Sequence, residues 1–154
     1  SQAKPVADQY RVSLYLSKPD NQSIKITADP QKLAIAISNL LDNAIKYNIP
    51  NGEVIVKIEK VGKNPYIQIS VKDTGIGIPA EEFKKVFAKF FRAENAVKVA
   101  VEGTGLGLYI TKNIIRRHGG QIWIESTLNR GTTVYFTMPT NPTLIPAKEF
   151  IYEE

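Results

Sequence analysis

The sequence predicts a two-layer α/β sandwich, a mixed and mostly antiparallel sheet covered by helices on one face. Three observations carry that expectation. Four segments alternate apolar and polar residues with period 2, the signature of half-buried strands. Two others, around residues 30–48 and 106–118, carry apolar residues at helical spacing. No strand reads as a continuous apolar run, as a doubly wound parallel sheet would require. The 154 residues, 43% apolar and 23% charged, suffice for one domain with a real core.

Residues 1–10 read as a polar lead-in, and Arg11–Leu16 and Ser23–Thr27 as two short strands joined by a turn at Pro19, Asp20 and Asn21. Asp29-Pro30 is a helix start, a capping carboxylate followed by proline in the first turn. The helix should run to about Asn48, where Ile49-Pro50-Asn51-Gly52 stops it. Val54, Val56 and Ile58 then alternate with Ile55, Lys57 and Glu59. After a turn at Gly62–Pro65, Ile67, Ile69 and Val71 alternate with Gln68, Ser70 and Lys72, completing a hairpin. A short helix is expected at about 80–90, an irregular stretch at 93–104, and a helix at about 106–118 closed by Gly119-Gly120. A second hairpin, Ile122–Glu125 with Thr133–Met138, turns at Asn129-Arg130-Gly131. The boundaries drawn are a linker over 1–10, a folded domain over 11–139 and a tail over 140–154.

Composition closes several routes. There is no cysteine, so disulfides, Cys-ligated zinc and thiol nucleophiles are excluded, and the single histidine, His118, rules out a His-rich metal site. The formal charge of +5 is spread evenly, with 10 basic and 7 acidic residues in 1–77 and 10 and 8 in 78–154. Nucleic-acid binding needs a clustered basic face, and none is visible. No apolar run approaches a membrane span, and no signal peptide opens the sequence.

Three glycine-bearing segments and one polar helix face are candidates for chemistry. On the first long helix, Leu33, Ile37, Leu40, Leu41 and Ala44 gather on one side, and Asn39, Asn43 and Lys46 on the other. Such a polar face is ordinarily just solvated, yet asparagine is a poor helix former. Amide oxygens beside an ammonium suit a hydrated Mg²⁺ with phosphates. Asp73-Thr-Gly75-Ile-Gly77-Ile-Pro79 follows a strand directly; it is either a simple turn or a place where a carboxylate accepts from an exocyclic amine. Gly103-Thr104-Gly105-Leu106-Gly107-Leu108 precedes a helix, whose N-terminal N–H groups favour an anion. Its spacing is neither the dinucleotide fingerprint nor a Walker motif.

In this order the segments resemble the boxes of sensor histidine kinases. Asn39-Leu-Leu-Asp-Asn43-Ala-Ile-Lys46-Tyr47 resembles the N box, and Asp73-x-Gly75-x-Gly77-Ile78 the first glycine box. Phe87-Ala-Lys-Phe90-Phe91-Arg92 resembles the F box, Gly103–Leu108 the second glycine box, and Gly131-Thr132 the closing Gly-Thr. The match covers about 29–139 and is similar to the catalytic ATP-binding domain within the gyrase, chaperone, histidine-kinase and mismatch-repair ATPase superfamily.

The resemblance implies Mg-ATP as ligand. Asp73 would hold the adenine amino group with Thr132 in support, and Gly75 and Gly77 would let the chain approach the nucleotide, with Ile78 beside them. Asn43 would ligate Mg²⁺, Asn39 would sit near it, Lys46 would face a phosphate, and Tyr47 would line the purine pocket. Residues 93–104, between the second and third helices, would be a lid, with Gly103, Thr104, Gly105, Leu106, Gly107 and Leu108 at its far end and Arg92 at its base. Asn39, Asn43, Lys46 and Arg92 are the residues expected to serve transfer. At least one of Phe87, Phe90 and Phe91 should simply pack.

ATP-hydrolysing relatives place a glutamate where this sequence has Asn39, and an amide cannot take a proton from water. Transfer to an external nucleophile is therefore favoured over hydrolysis. His118 has a plain structural explanation at a helix C-terminus, as a cation or donor. The phosphoacceptor is expected on a separate dimerisation domain preceding residues 1–10, and a response regulator as the further partner. The parent protein would be a homodimer whose catalytic part is cytoplasmic, free or as part of a membrane-anchored sensor, with no nucleic-acid or membrane contact by this domain. The alternatives are a serine kinase of the anti-sigma type and a nucleotide-binding module without transfer activity.

Overall fold

The structure is a computed structural model that describes residues 3–18, 24–93 and 106–146. Five strands form one sheet in the order β1-β2-β3-β5-β4: β1 (Ser13–Ser17), β2 (Glu53–Lys60), β3 (Tyr66–Asp73), β4 (Ile122–Thr127) and β5 (Gly131–Pro139). Only β1 and β2 run parallel, and the long helix α2 (Pro30–Lys46) lies between them in sequence. The hairpins β2–β3 and β4–β5 are antiparallel and join through β3–β5. Together with α1 (Ala3–Tyr10) and α3 (Gly107–Arg117), α2 makes the second layer. The architecture is the mixed sandwich expected.

Alternation decides which face is covered. Val54, Ile67, Ile69, Val71, Phe136 and Met138 point inward and are buried beneath Ala36, Leu40, Ala44 and Ile45 of α2 and Ile114 and Ile115 of α3. A buried side chain of that size contributes about 1.5–3 kcal/mol. The outward face is left open; there Trp123 and Tyr135 stack at 5.5 Å between centroids. The N-cap of α2 is Asp29, whose side chain accepts from the N–H groups of Gln31 and Lys32.

Three expectations are corrected. Residues 3–10 are not a lead-in but a helix, with Ala7 buried and Ala3 and Val6 packed on the core. The spacing Ala3, Val6, Ala7, Tyr10 is helical, although Pro5 and a polar composition mask it. Ile24 and Ile26 belong to no strand, and residues 19–23 lie outside those described. The alternation at 24–27 comes from both isoleucines lying half-buried on the core, without a ladder. Residues 80–90 are not an α-helix. A 3₁₀ turn at Ala80–Glu82 leads into further bonds that each close after three residues, and Phe90 breaks the run at φ +65°. With Val86 alone fully buried there, the segment has no apolar face to stabilise a helix.

Candidate functional site

A cavity of about 250 Å³ opens at the end of the sheet where β3 stops and β5 starts. Its floor comes from one cross-strand row, in which Val71 pairs with Val134 and Val134 with Ile124. Asn39, Asn43, Lys46 and Tyr47 of α2 line one wall, and Ile76, Gly77 and Ile78 of the loop after β3 line another. Phe91 and Arg92 contribute from before the undescribed segment, and Gly107 and Leu108 from after it. An apolar floor with a polar wall suits a ligand that is flat and apolar at one end and charged at the other.

Asp73 ends β3 on the covered face, opposite Val54. Its Oδ1 accepts from the N–H of Gly75 at 2.9 Å and of Thr132 at 3.1 Å. Oδ2 has no partner among the described residues, and the residue lines the cavity. Burial pushes the carboxyl up from 3.8 to about 6 and outweighs the two N–H bonds, which pull it down. A carboxylate held on one oxygen and open on the other is a fixed acceptor for a ligand donor.

The scaffold around Asp73 is dense. Thr74 Oγ1 donates to Asn48 Oδ1 at 2.8 Å and accepts from the N–H of Glu53 at 2.9 Å, while Asn48 Nδ2 donates to the Glu53 carbonyl at 3.0 Å. The N–H of Ile76 donates to the carbonyl of Tyr47 at 3.1 Å, so the end of α2 and the loop after β3 are stitched together. Both loop glycines are required by this packing: a Cβ at Gly75 would collide with the Tyr47 carbonyl oxygen. Gly77 has φ +72° and faces the Thr127 carbonyl. Ser126 joins the other side, receiving the N–H of Ile78 at 2.8 Å. Asn48, Thr74 and Ser126 escaped the sequence reading. Ser126 had a signal: it is the inward-facing polar position of a strand whose other inward residues are Ile122 and Ile124.

The polar wall differs in character. Among the described residues, the side chains of Asn43 and Lys46 have no hydrogen-bond partner, and both residues stand half-exposed at the cavity. Asn39 is instead a strap, its Nδ2 donating to the Gly107 carbonyl at 3.3 Å and to Thr111 Oγ1 at 3.4 Å. Arg92 donates from Nη2 to the Tyr47 hydroxyl at 3.4 Å. Of the F-box phenylalanines, Phe91 lines the cavity and Phe90 is 65% exposed, with Lys89 over its ring at 5.6 Å and over that of Tyr109 at 5.7 Å. Among the described residues no three His, Asp or Glu side chains gather to cage a metal. A hard cation here would take the amide oxygen of Asn43 together with waters and the oxygens of a bound anion, since Mg²⁺ commonly completes its shell with water and substrate phosphates.

The structure thus brings Asn39, Asn43, Lys46, Tyr47, Asp73, Gly77, Ile78, Arg92, Gly107, Leu108 and Thr132 around one cavity, with Gly75 and Leu106 adjoining it in sequence. Gly103, Thr104, Gly105 and all of the expected lid 93–104 except Ala93, which lines the cavity, lie outside the described residues. His118 takes no part in the cavity. It caps α3, its Nε2 accepting from the N–H of Asp29 at 3.0 Å and its Nδ1 donating to the Ile114 carbonyl at 2.7 Å. Only the neutral ring protonated on Nδ1 satisfies both contacts, so His118 is a clamp between two helix ends rather than a cation.

This fold is a two-layer sandwich in which an aspartate at the end of the third strand faces a polar helix across a ligand-sized cleft. The model of the histidine kinase-, DNA gyrase B- and HSP90-like ATPases matches residues 28–142, and the chain belongs to that family. It is 37% identical over 131 residues to the sensor histidine kinase WalK of Bacillus subtilis, an alignment covering 85% of this chain and 21% of WalK. The chain thus spans about a fifth of that relative's length. Among solved structures, the mycobacterial sensor histidine kinase MprB superposes with a TM-score of 0.77 at 28% identity, over 90% of this chain and 91% of that one. Histidine kinase ThkA, in a complex with the response regulator protein TrrA, superposes at 0.73 and 26% identity, over 92% of this chain and 38% of that one.

Proposed function

We propose that this chain is the part of a sensor histidine kinase that binds Mg-ATP and presents the γ-phosphoryl group to a histidine on a separate dimerisation domain. The observation that carries the reading is Asp73, fixed through Oδ1 and open at Oδ2, at one end of a cleft whose other wall bears Asn43 and Lys46. Oδ2 accepts the adenine amino group; the purine lies on Val71, Val134 and Ile124 beside Tyr47; the phosphates run toward Lys46 and the N-terminus of α3. Asn43 would hold Mg²⁺, and the ion when bound would supply positive charge to offset that of the phosphates.

The strap made by Asn39 supports transfer over hydrolysis. Its amide nitrogen is committed to α3, and the residue cannot deprotonate water, so intrinsic ATPase activity is slow. The acceptor is not His118, which is buried and satisfied at the far ends of α2 and α3. The regulator in the ThkA–TrrA complex supports a response regulator as downstream partner. No helix among the described residues is long and apolar enough to cross a membrane.

Calorimetry of ADP and ATP with and without Mg²⁺, wild type beside Asp73→Asn, tests the site. Binding that is Mg²⁺-enhanced in the wild type and at least 100-fold weaker in the variant is expected. Retention of affinity in Asp73→Asn sinks the assignment. Mixing the loaded chain with a histidine-bearing dimerisation domain from a relative tests transfer, and ATP turnover without phosphohistidine would refute it.

A further inference from the structure

Ser126 Oγ has three partners, and elementary proton counting fixes the role of each. The Gly131 carbonyl oxygen, 2.9 Å away, can only accept, so the Ser126 hydroxyl proton points there. The N–H of Ile78, at 2.8 Å, can only donate, so it takes one lone pair of Ser126. The third contact, to Thr132 Oγ1 at 2.7 Å, could run either way in isolation. With the serine proton already spent, Thr132 must be the donor, and the second lone pair of Ser126 receives it. Ser126 is then saturated. Thr132, which lines the cavity next to Asp73, has lost the use of its own proton and shows the cavity lone pairs alone.

We propose that Ser126 is a specificity-determining positioning residue: by holding the proton of Thr132 it makes this edge of the cavity acceptor-only, selecting purines with an amino rather than an oxo group at C6. The proposal rests on the adenine reading above and extends it to a residue outside the sequence motifs. Asp73 Oδ2 and Thr132 Oγ1 both accept, so a 6-amino group is welcomed and a 6-oxo group meets lone pairs without a donor. The Asp73 carboxylate contributes rejection of its own. Ser126 removes the one nearby hydroxyl that could otherwise rotate to rescue the wrong base.

The test uses this chain with ADP and inosine diphosphate, which carries an oxo group at C6 and a proton on N1. In Ser126→Ala the Thr132 hydroxyl is free to donate into the cavity, so inosine diphosphate should bind more tightly and the ADP preference should fall about fivefold. Ser126→Thr, which keeps the oxygen, should restore the preference. In a Thr132→Val background, Ser126→Ala should leave the preference unchanged, because the hydroxyl it acts through is gone. If Ser126→Ala fails to fold, Ser126→Cys keeps the size and replaces the oxygen by a poor acceptor. A purely structural role weakens both nucleotides alike, so an unaltered preference in Ser126→Ala overturns the proposal and leaves the adenine reading standing. A wild type that binds neither nucleotide removes both.

Discussion

The two ends of the cleft are built on opposite principles. At the Asp73 end nearly every polar atom is satisfied by the protein: Asp73 Oδ1 by two N–H groups, Thr74 by Asn48 and Glu53, Ser126 by three partners. At the Asn43 end the side chains reach out of one helix, and among the described residues neither the Asn43 amide nor the Lys46 ammonium has a partner. The first end is preorganised, so little ordering is lost when a ligand arrives. The second is left to be organised by its ligand. Affinity should therefore be decided at the first end, and the geometry of the transferable group at the second.

The largest effect should come from breaking the preorganised end at its backbone. Gly75→Ala drives a Cβ into the Tyr47 carbonyl, where no flexible side chain can yield. Loss of at least about 3 kcal/mol of unfolding free energy is expected by denaturant titration. A cost within 1 kcal/mol would mean that the loop has slack, and the contrast between the two ends would fail.

Next comes Asp73, where stability and binding should move apart. Its folded pKa of about 6 lies above the ordinary 3.8, so the native state holds a proton that the unfolded chain has lost between those values. The contribution is fully favourable below pH 3.8 and disappears as pH rises through about 6. Asp73→Asn removes the charge and keeps an oxygen for Gly75 and Thr132. The variant should thus be about 1–2 kcal/mol more stable than wild type at pH 7 while losing the nucleotide. Wild-type ADP affinity should weaken as pH falls from 7 to 5, because protonated Oδ2 donates where it must accept. A flat pH profile, or a destabilised Asp73→Asn, would sink this account.

The same contrast marks what could be read from the sequence. Strands, hairpins, α2 and the inward positions were legible because period and capping are local signals, and Asp29-Pro30 fixed the start of α2. Asp73, Asn43 and Lys46 were legible because they sit in ordered, spaced segments. The interior of the preorganised end was not. Asn48, Thr74 and Ser126 act through pairings 21 to 48 residues apart, between elements whose relative placement no local pattern encodes. The glycines were expected to let the chain approach the nucleotide; what the sequence hid is that Gly75 and Gly77 also make room for the chain's own carbonyls. Helix α1 was hidden because its core contacts are few and small, Ala7 with Ala3 and Val6, in an otherwise polar segment that carries Pro5.

At the Asn43 end the effects should be smaller and conditional on the ligand. Asn43→Ala should abolish the gain in affinity that Mg²⁺ gives ADP, about tenfold, and leave Mg²⁺-free binding within twofold of wild type. Lys46→Met should weaken ATP more than ADP, by about 1–2 kcal/mol for a lost charge-assisted contact, without altering unfolding. Calorimetry at fixed ionic strength separates the two. Equal losses with and without Mg²⁺ in Asn43→Ala would show that this asparagine also supports the purine end.

The smallest effect on the nucleotide is expected from the one histidine. His118 joins the N-cap of α2 to the C-terminus of α3, well away from the cavity-lining residues. His118→Ala leaves the N–H of Asp29 without its acceptor and the Ile114 carbonyl without its side-chain donor. That should cost about 1–3 kcal/mol of unfolding free energy. His118→Gln, whose amide can offer one acceptor and one donor, should recover part of it. ADP affinity should stay within about twofold in both, because neither helix is strapped to the cavity through this end. Asn39 does that, through Gly107 and Thr111 at the other end of α3. A His118→Ala variant with normal stability and lost nucleotide binding would place the histidine in the site and reverse the assignment.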